Sequence, residues 1–269
     1  MQTVSFKVHR ITGYICNIFL LEYEDRLLLL DSGAINDVKR IEDYCRNTLA
    51  RSPKDIKLAV VSHMHPDHGG GACILRKKYG IPIAAHQDVD LWYAGIGGYV
   101  QHKLDCFMAT EVAYRTRHKV ERILYRRKIK PDFPLQDGDH LPGFEDWSIL
   151  HVPGHTMHDI ALYNQKEQLL YSADCICDIG EGRLVLPIPI MFPDKMDISF
   201  DKLASLDIST LLLAHGEPIE FDDNPQVFGF MKGLLKEPPT TIMRRAHWMS
   251  IYSPEIWKHA SRKHICHYH

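Results

Sequence analysis

Ser62-His63-Met64-His65-Pro66-Asp67-His68-Gly69-Gly70-Gly71 is the stretch on which the reading of this chain turns. It follows residues 57–62, a short apolar run that predicts a strand. In extended or turn backbone, residues two apart point to the same side. His63 and His65 are therefore placed to offer two imidazoles to one metal ion, with Asp67 and His68 on the next turn facing a second. Four ligand-type side chains in six residues are hard to explain as packing, because each would need its own buried partner. A solvated polar turn is the competing explanation. Three more candidates follow, each at the end of a predicted apolar strand: His155 in Val152-Pro153-Gly154-His155-Thr156, Asp174 after Tyr171-Ser172-Ala173, and His215 in Leu213-Ala214-His215-Gly216. That recurrence at strand ends weighs against the polar turn and for a metal site.

The background composition is that of an ordinary globular chain: 269 residues, 45% hydrophobic, 25% charged, net charge −2. It excludes a disordered, collagenous or multispan membrane protein. Near-neutrality leaves no basis for a nucleic-acid partner. Histidine is abundant, at 17 residues, and imidazole is the commonest side-chain metal ligand. Seven scattered cysteines, an odd number, fit no disulfide framework. The N-terminus lacks the basic, apolar and small-residue succession of a secretory signal, and the apolar run at 15–21 is too short to span a bilayer. A cytoplasmic protein with no membrane partner is expected.

Outward from the histidine cluster, strands are predicted at about 4–8, 15–21, 26–30, 57–62, 81–85, 147–152, 160–163, 169–172 and 210–214. A helix capped by Asn36 is expected to run to about Arg51, another to cover 72–79, and others 225–236 and 240–264. Strands of both kinds, alternating and continuously apolar, interleaved with helices suggest mixed α/β layers. No boundary divides the chain, so one domain over 1–269 is expected, with a helical insertion at 88–130 and a helical C-terminal segment at 223–269. Residues 101–130 carry nine basic and three acidic side chains, which suits a solvated helix, a lid, a dimer contact or an anion patch. His259, His264, His267 and His269 read as a frayed terminus.

These motifs, SHMHPDHGGG, PGHT, SAD and LLLAHG in that order, resemble those of the metallo-beta-lactamase-fold metallohydrolase superfamily. The opening NIFLLEYEDRLLLLDSG and the segment LQDGDHLPGFEDWSILHVPGHT resemble the family's first hairpin with its aspartate turn and the strand pair before its third histidine motif. The likeness spans about 15–220. It implies an α/β fold, a four-layer αβ/βα sandwich of two mixed sheets flanked by helices. It also implies that His63, His65 and His155 hold one metal, Asp67, His68 and His215 a second, and Asp174 bridges them, with Asp31 orienting a ligand histidine. Two zinc ions per chain are the expected cofactor; nitrogen and oxygen ligands also suit iron or manganese.

Two metals sharing a water lower its pKa towards 7 and polarise the substrate oxygen. The resemblance assigns Asp67 a catalytic part, steering the attacking hydroxide or taking its proton. The expected function is dinuclear metal-dependent hydrolysis of a small ester, lactone or thioester. The alternatives are a phosphodiesterase and a metal-bearing ligand-binding regulator with little turnover. In motif style the chain is closest to lactonase and glyoxalase II-like members. Cys177 stands where acyl-homoserine lactonases usually have tyrosine, and CDIGEGR lacks the Gly-Cys-rich loop of hydroxyacylglutathione hydrolases, so no subfamily follows. Asp174 separates the chain from true beta-lactamases, which lack the bridging aspartate. His158 replaces a glycine common after the third histidine; it is either a substrate contact or an outward-pointing side chain. A small-molecule substrate and a homodimer are the partners expected.

Overall fold

The computed structural model describes residues 6–180, 182–221 and 224–259. The first sheet contains β1 (Lys7–Thr12), β2 (Asn17–Glu22), β3 (Leu27–Leu30), β4 (Ile56–Val61), β5 (Ile83–His86) and β6 (Phe133–Leu135), in that spatial order. Its first three strands pair antiparallel and the rest parallel. The second sheet contains β7 (His140–Leu141), β8 (Phe144–His151), β9 (Ile160–Asn164) and β10 (Leu169–Tyr171). After a two-stranded ribbon of β11 (Cys177–Asp178) and β12 (Leu184–Val185), β13 (Thr210–Leu212) and β14 (Ile219–Glu220) complete it in the order β14-β13-β10-β9-β8-β7. Only β10 and β13 run parallel in that sheet.

Among the described residues, eight α-helices flank the sheets: α1 (Asp37–Asp43), α2 (Pro66–Gly69), α3 (Ala72–Tyr79), α4 (Gly95–Arg117), α5 (Pro193–Ala204), α6 (Asn224–Leu235), α7 (Thr241–Ser250) and α8 (Pro254–His259). Alternation along the strands sorts side chains between layers. In β9, Leu162 enters the core between the sheets, whereas Ala161 and Tyr163 face the outer layer of α5 and α6. Leu212 and Leu211 of β13 divide the same way. Phe19 of β2 and Tyr171 of β10 meet edge to face across the central layer at 5.7 Å. The result is the expected four-layer αβ/βα sandwich, with β4, β8, β10 and β13 delivering their C-terminal ends to one edge.

The structure departs from expectation in three places. Asn36 makes no side-chain cap; Asp37 instead accepts the N–H groups of Tyr14 and Ala34, at 2.9 and 2.7 Å. Helix α4 stops at Arg117, because His118 takes a left-handed conformation at φ 52°. From there to 130 the chain is irregular. Ile123, Tyr125 and Ile129 turn inward at spacings that no single helical face accommodates. Asp90 accepts the N–H groups of Ile129 and Lys130. The expected helix over 240–264 breaks at Ile251, since the residue before Pro254 disfavours helical backbone. Its remainder, with His264, His267 and His269, lies outside the described residues. No helix among the described residues is long and apolar enough to cross a membrane.

Candidate metal centre

The local sequence makes the turns that aim the side chains. β4 ends at Val61 and Pro66 starts the one-turn helix α2, so His63 and His65 sit on extended backbone and Asp67 and His68 on the helical turn. A Cβ on Gly70 would lie 2.2 Å from the Pro66 carbonyl oxygen, so only glycine lets that turn close against the next. His155 occupies the loop after β8, pinned where Asp159 accepts the Thr156 N–H at 2.6 Å. Asp174 lies in a short turn after β10, and His215 follows β13. Gly216 next to it adopts φ 128°, where a Cβ would strike Asp178.

The seven side chains converge. His63 Nε2 and His155 Nε2 lie 3.0 and 2.8 Å from His65 Nδ1. Asp174 Oδ2 faces this trio, 3.9 Å from His63 and 3.6 Å from His155. Its other oxygen, Oδ1, stands 3.1 Å from His68 Nε2 and 3.4 Å from His215 Nε2. Asp67 Oδ2 closes the second set, 3.7 Å from His68 Nε2 and 3.4 Å from His215 Nε2. One carboxylate thus faces two donor sets at once. His68 Nε2 and Asp174 Oδ1 are buried without a hydrogen-bond partner. Orphaned polar atoms of that kind are costly, and a divalent cation satisfies them, so the donor set fits such an ion.

Electrostatics agree. Burial, with neighbouring histidines, holds His63 well below its ordinary pKa, and burial takes His65 to about 4; both offer the neutral lone pairs that a cation needs. Burial alone would lower His68, but the carboxylates of Asp174, Asp67 and Asp31 outweigh it and raise it well above the usual value. Burial would raise Asp67, yet His68 and His215 prevail and hold it at about 2.

Asp31, at the end of β3, ties the floor together. Its carboxylate accepts the Ser62 N–H at 2.7 Å, the Ser62 hydroxyl at 2.7 Å and the Tyr171 hydroxyl, and lies 2.7 Å from His68 Nδ1. That last contact leaves His68 Nε2 for the cluster, as expected of an orienting carboxylate. The backbone of Asp31 is left-handed, at φ 57°, a strained conformation that persists only where its surroundings fix it.

His158 requires correction. It neither reaches the cleft nor points outward. It is fully buried, with Nδ1 2.7 Å from Glu255 Oε1 and Nε2 accepting the Met64 N–H at 3.0 Å. Both nitrogens are spent clamping α8 to the histidine loop. Sequence reasoning also missed two neighbours. Cys16 donates its thiol to the Asp67 carbonyl at 2.8 Å and lies within the Asp67–His68 group. Asp105 of α4 approaches His65 Nε2 to 3.8 Å while accepting from Trp92 Nε1, Tyr93 Oη and Gln101 Nε2 at 2.7–2.9 Å. Burial raises its pKa to about 6. Asp105 had no local signal beyond being one acid in a basic run.

Above the cluster lies a cavity of about 430 Å³. His65, Asp67, His155, Asp174 and His215 form its floor, and α4 and α7 form two of its walls. The insertion therefore covers the mouth of the site, although of its nine basic side chains only Arg115 lines the cleft.

A two-sheet sandwich with a histidine–aspartate cluster on one edge defines a metallohydrolase architecture. Comparison makes the family definite: the sequence profile of the Metallo-beta-lactamase superfamily matches residues 11–215, and the chain belongs to that superfamily. It is 26% identical over 207 residues to the acyl-coenzyme A thioesterase MBLAC2 of Gallus gallus, covering 72% of this chain and 69% of that one. It is 36% identical over 159 residues to a hydroxyacylglutathione hydrolase of Cereibacter sphaeroides, covering 59% of this chain and 47% of the relative. Its fold is similar to that of a metallo-beta-lactamase family protein from Thermus thermophilus, with a TM-score of 0.64 at 19% identity over 95% of this chain and 91% of the other.

Proposed function

We propose that this metal-dependent hydrolase binds two divalent metals, zinc first among them, and cleaves a small ester, lactone or thioester. The observation that carries this reading is Asp174, whose two oxygens face separate donor sets. His63 Nε2, His65 Nδ1, His155 Nε2 and Asp174 Oδ2 would hold one ion; Asp67, His68, His215 and Asp174 Oδ1 would hold the other. Such ions supply a water-derived nucleophile near neutral pH and an electrophilic anchor for the carbonyl oxygen. Asp67, ionised and on the cleft floor, accepts a hydrogen bond from the attacking water at Oδ2 and orients it.

Among the described residues the cleft lining contains no lysine or tyrosine, and Asp105, which burial raises to about 6, has its oxygens committed to Trp92, Tyr93 and Gln101. A leaving group must then depart with little help. A thiol, with a pKa of about 8.5, does so readily, and a lactone adds ring strain. Two relatives bear names for hydrolysis of acyl-coenzyme A and hydroxyacylglutathione, which supports the thioester side. With Arg115 alone of the basic run at the cleft, the phosphodiesterase alternative loses its premise. The six cysteines among the described residues are free, which suits a reducing compartment and is in keeping with the cytoplasm.

The test joins elemental analysis to a panel of lactone, thioester, beta-lactam and bis-aryl phosphodiester substrates. About two metals per chain and turnover confined to lactones or thioesters are expected. A stoichiometry fixed at one on zinc titration overturns the paired site. Turnover of phosphodiesters alone overturns the substrate class.

A further inference from the structure

Helices α4 and α7 are unusual surface helices. The Met249 carbonyl accepts from Gln101 Nε2 at 3.1 Å, and Gln101 Oε1 accepts the Tyr252 N–H at 3.0 Å. The end of α7 therefore lies beside the first half of α4. On α7, Ile242, Arg245, Ala246 and Met249 form a stripe at i, i+3, i+4 and i+7 along the cleft. On α4, Met108, Val112 and Arg115 do the same from the other side, starting above Asp105. Ile242 is 61% exposed and Val112 48%. Exposed apolar groups that converge on one groove mark a binding surface, and these converge over the metal donors.

Polarity changes along the groove. Arg115 is ten residues beyond Asp105, or roughly 15 Å along the helix at 1.5 Å per residue. Among the described residues its ion-pair partner is Glu111, 3.8 Å away, and both side chains are exposed; pairs of this kind contribute little, which leaves Arg115 able to engage a ligand. Arg245 adds a second positive charge to the same lining; of the two carboxyl side chains above the floor, Asp105 is committed to Trp92, Tyr93 and Gln101, and Glu111 is the exposed one.

Resting on the ester–thioester reading above, the geometry points to a substrate of two parts. An unbranched apolar acyl group lies between Met108, Val112, Ile242 and Met249, and an anionic group on the thiol or alcohol portion is held at the rim by Arg115 and Arg245. The cavity volume falls within the range of small-molecule sites, about 300–1,000 Å³. Each methylene newly buried in the slot is worth a factor of about four, so specificity rises steeply with acyl length until the slot is full. The anion is a phosphate, as on coenzyme A, or a carboxylate, as on glutathione.

The zinc-loaded full chain is assayed on acetyl, butanoyl, hexanoyl and octanoyl thioesters of coenzyme A, glutathione and uncharged N-acetylcysteamine. For one acyl group, the charged ester is expected to exceed the neutral one in kcat/KM, and the preferred thiol identifies the anion. Across the acyl series kcat/KM rises at least tenfold. Val112→Trp, at an exposed position, removes that rise. Arg115→Glu with Arg245→Glu lowers the charged-to-neutral selectivity ratio at least tenfold. A flat acyl series, or a ratio unmoved by charge reversal, overturns the proposal. Binding of 11-(dansylamino)undecanoic acid to metal-free protein, read by fluorescence, separates this from the reaction itself. Weakened probe binding in Val112→Trp with no hydrolysis of any ester leaves the slot standing and removes the reaction. Unchanged probe binding, with esters hydrolysed at every length alike, does the reverse.

Discussion

The floor and the roof of the cleft are built on opposite terms. On the floor, polar side chains are largely buried and braced from beneath: the Asp31 carboxylate alone contacts Ser62, His68 and Tyr171. On the roof, α4 and α7 leave large apolar side chains such as Phe107 and Ile242 more than half exposed. A floor of that kind is preorganised, because desolvated groups with fixed partners cannot relax cheaply. The roof is adaptable, because exposed apolar side chains accept many shapes. The difference matches the proposed division of labour, with chemistry at the strand-end turns and substrate choice on α4 and α7.

The severest way to break this division is Asp174→Ala. The substitution removes the carboxylate that faces both donor sets. It should cut hydrolysis by at least 10³-fold and take metal content from about two towards zero, because the remaining histidines lose the charge that offsets two cations. The core side chains are untouched, so circular dichroism should keep the native signature. Full activity at unchanged metal content would show that Asp174 bridges nothing, and the floor would then be ordinary polar packing.

A smaller effect is expected where floor and roof touch. Asp105 belongs to α4, yet it reaches His65 Nε2 at 3.8 Å from within its own three hydrogen bonds. Asp105→Asn keeps the shape and removes a carboxylate from beside His65 Nε2, the ring atom opposite the Nδ1 that faces the cluster. Loss of such an outer partner typically costs 10–100-fold in metal affinity. The expected pattern is activity lost at limiting metal and regained in excess. Activity that stays low at saturating metal would mean that α4 acts on substrate alone. Unchanged metal affinity would make Asp105 merely a support for Trp92 and Tyr93.

The floor was legible in sequence and the roof was not. His63, His65, Asp67 and His68 are close in the chain, and their turn is dictated locally by Pro66 and the glycines. Asp31, His155, Asp174 and His215 each announce themselves at the end of an apolar run, and helix 72–79 was read at its true bounds. What failed depends on distant packing. His158 was assigned to substrate or solvent because nothing nearby shows that Glu255, 97 residues on, is its partner. Residues 118–130 were read as helix on composition, whereas Tyr125 turns inward to donate its hydroxyl to the Met64 carbonyl. Asp105 was invisible for the same reason: its partners form only after α4 has docked.

The smallest effect concerns how the segment after α4 is anchored. Arg40 of α1 donates from Nη2 to Glu121 Oε1 at 2.7 Å and from Nη1 to Glu121 Oε2 at 3.0 Å, with Lys119 2.8 Å from Oε1. The Arg40 hydrogen bonds, reinforced by Lys119, hold Glu121 at about 2. An unfolded glutamate titrates near 4.3. The folded pKa is thus depressed, so the clamp's contribution is fully present above about pH 4.5 and is lost as pH falls towards 2. Arg40 is one-third exposed, and such partly solvated pairs contribute about 1 kcal/mol. Glu121→Gln should therefore lower the melting temperature by about 2–4 °C at pH 7. The gap between variant and wild type should close as pH falls through that window. Asp37, which also contacts Arg40 and which burial raises to about 6, titrates in both proteins and largely cancels in the difference. Substrate selectivity should not move, because Glu121 lies outside the cleft lining. A gap that is constant with pH would mean that Glu121 acts by packing. A change in selectivity would mean that the anchor below α4 also shapes the roof, and the two regions could no longer be treated separately.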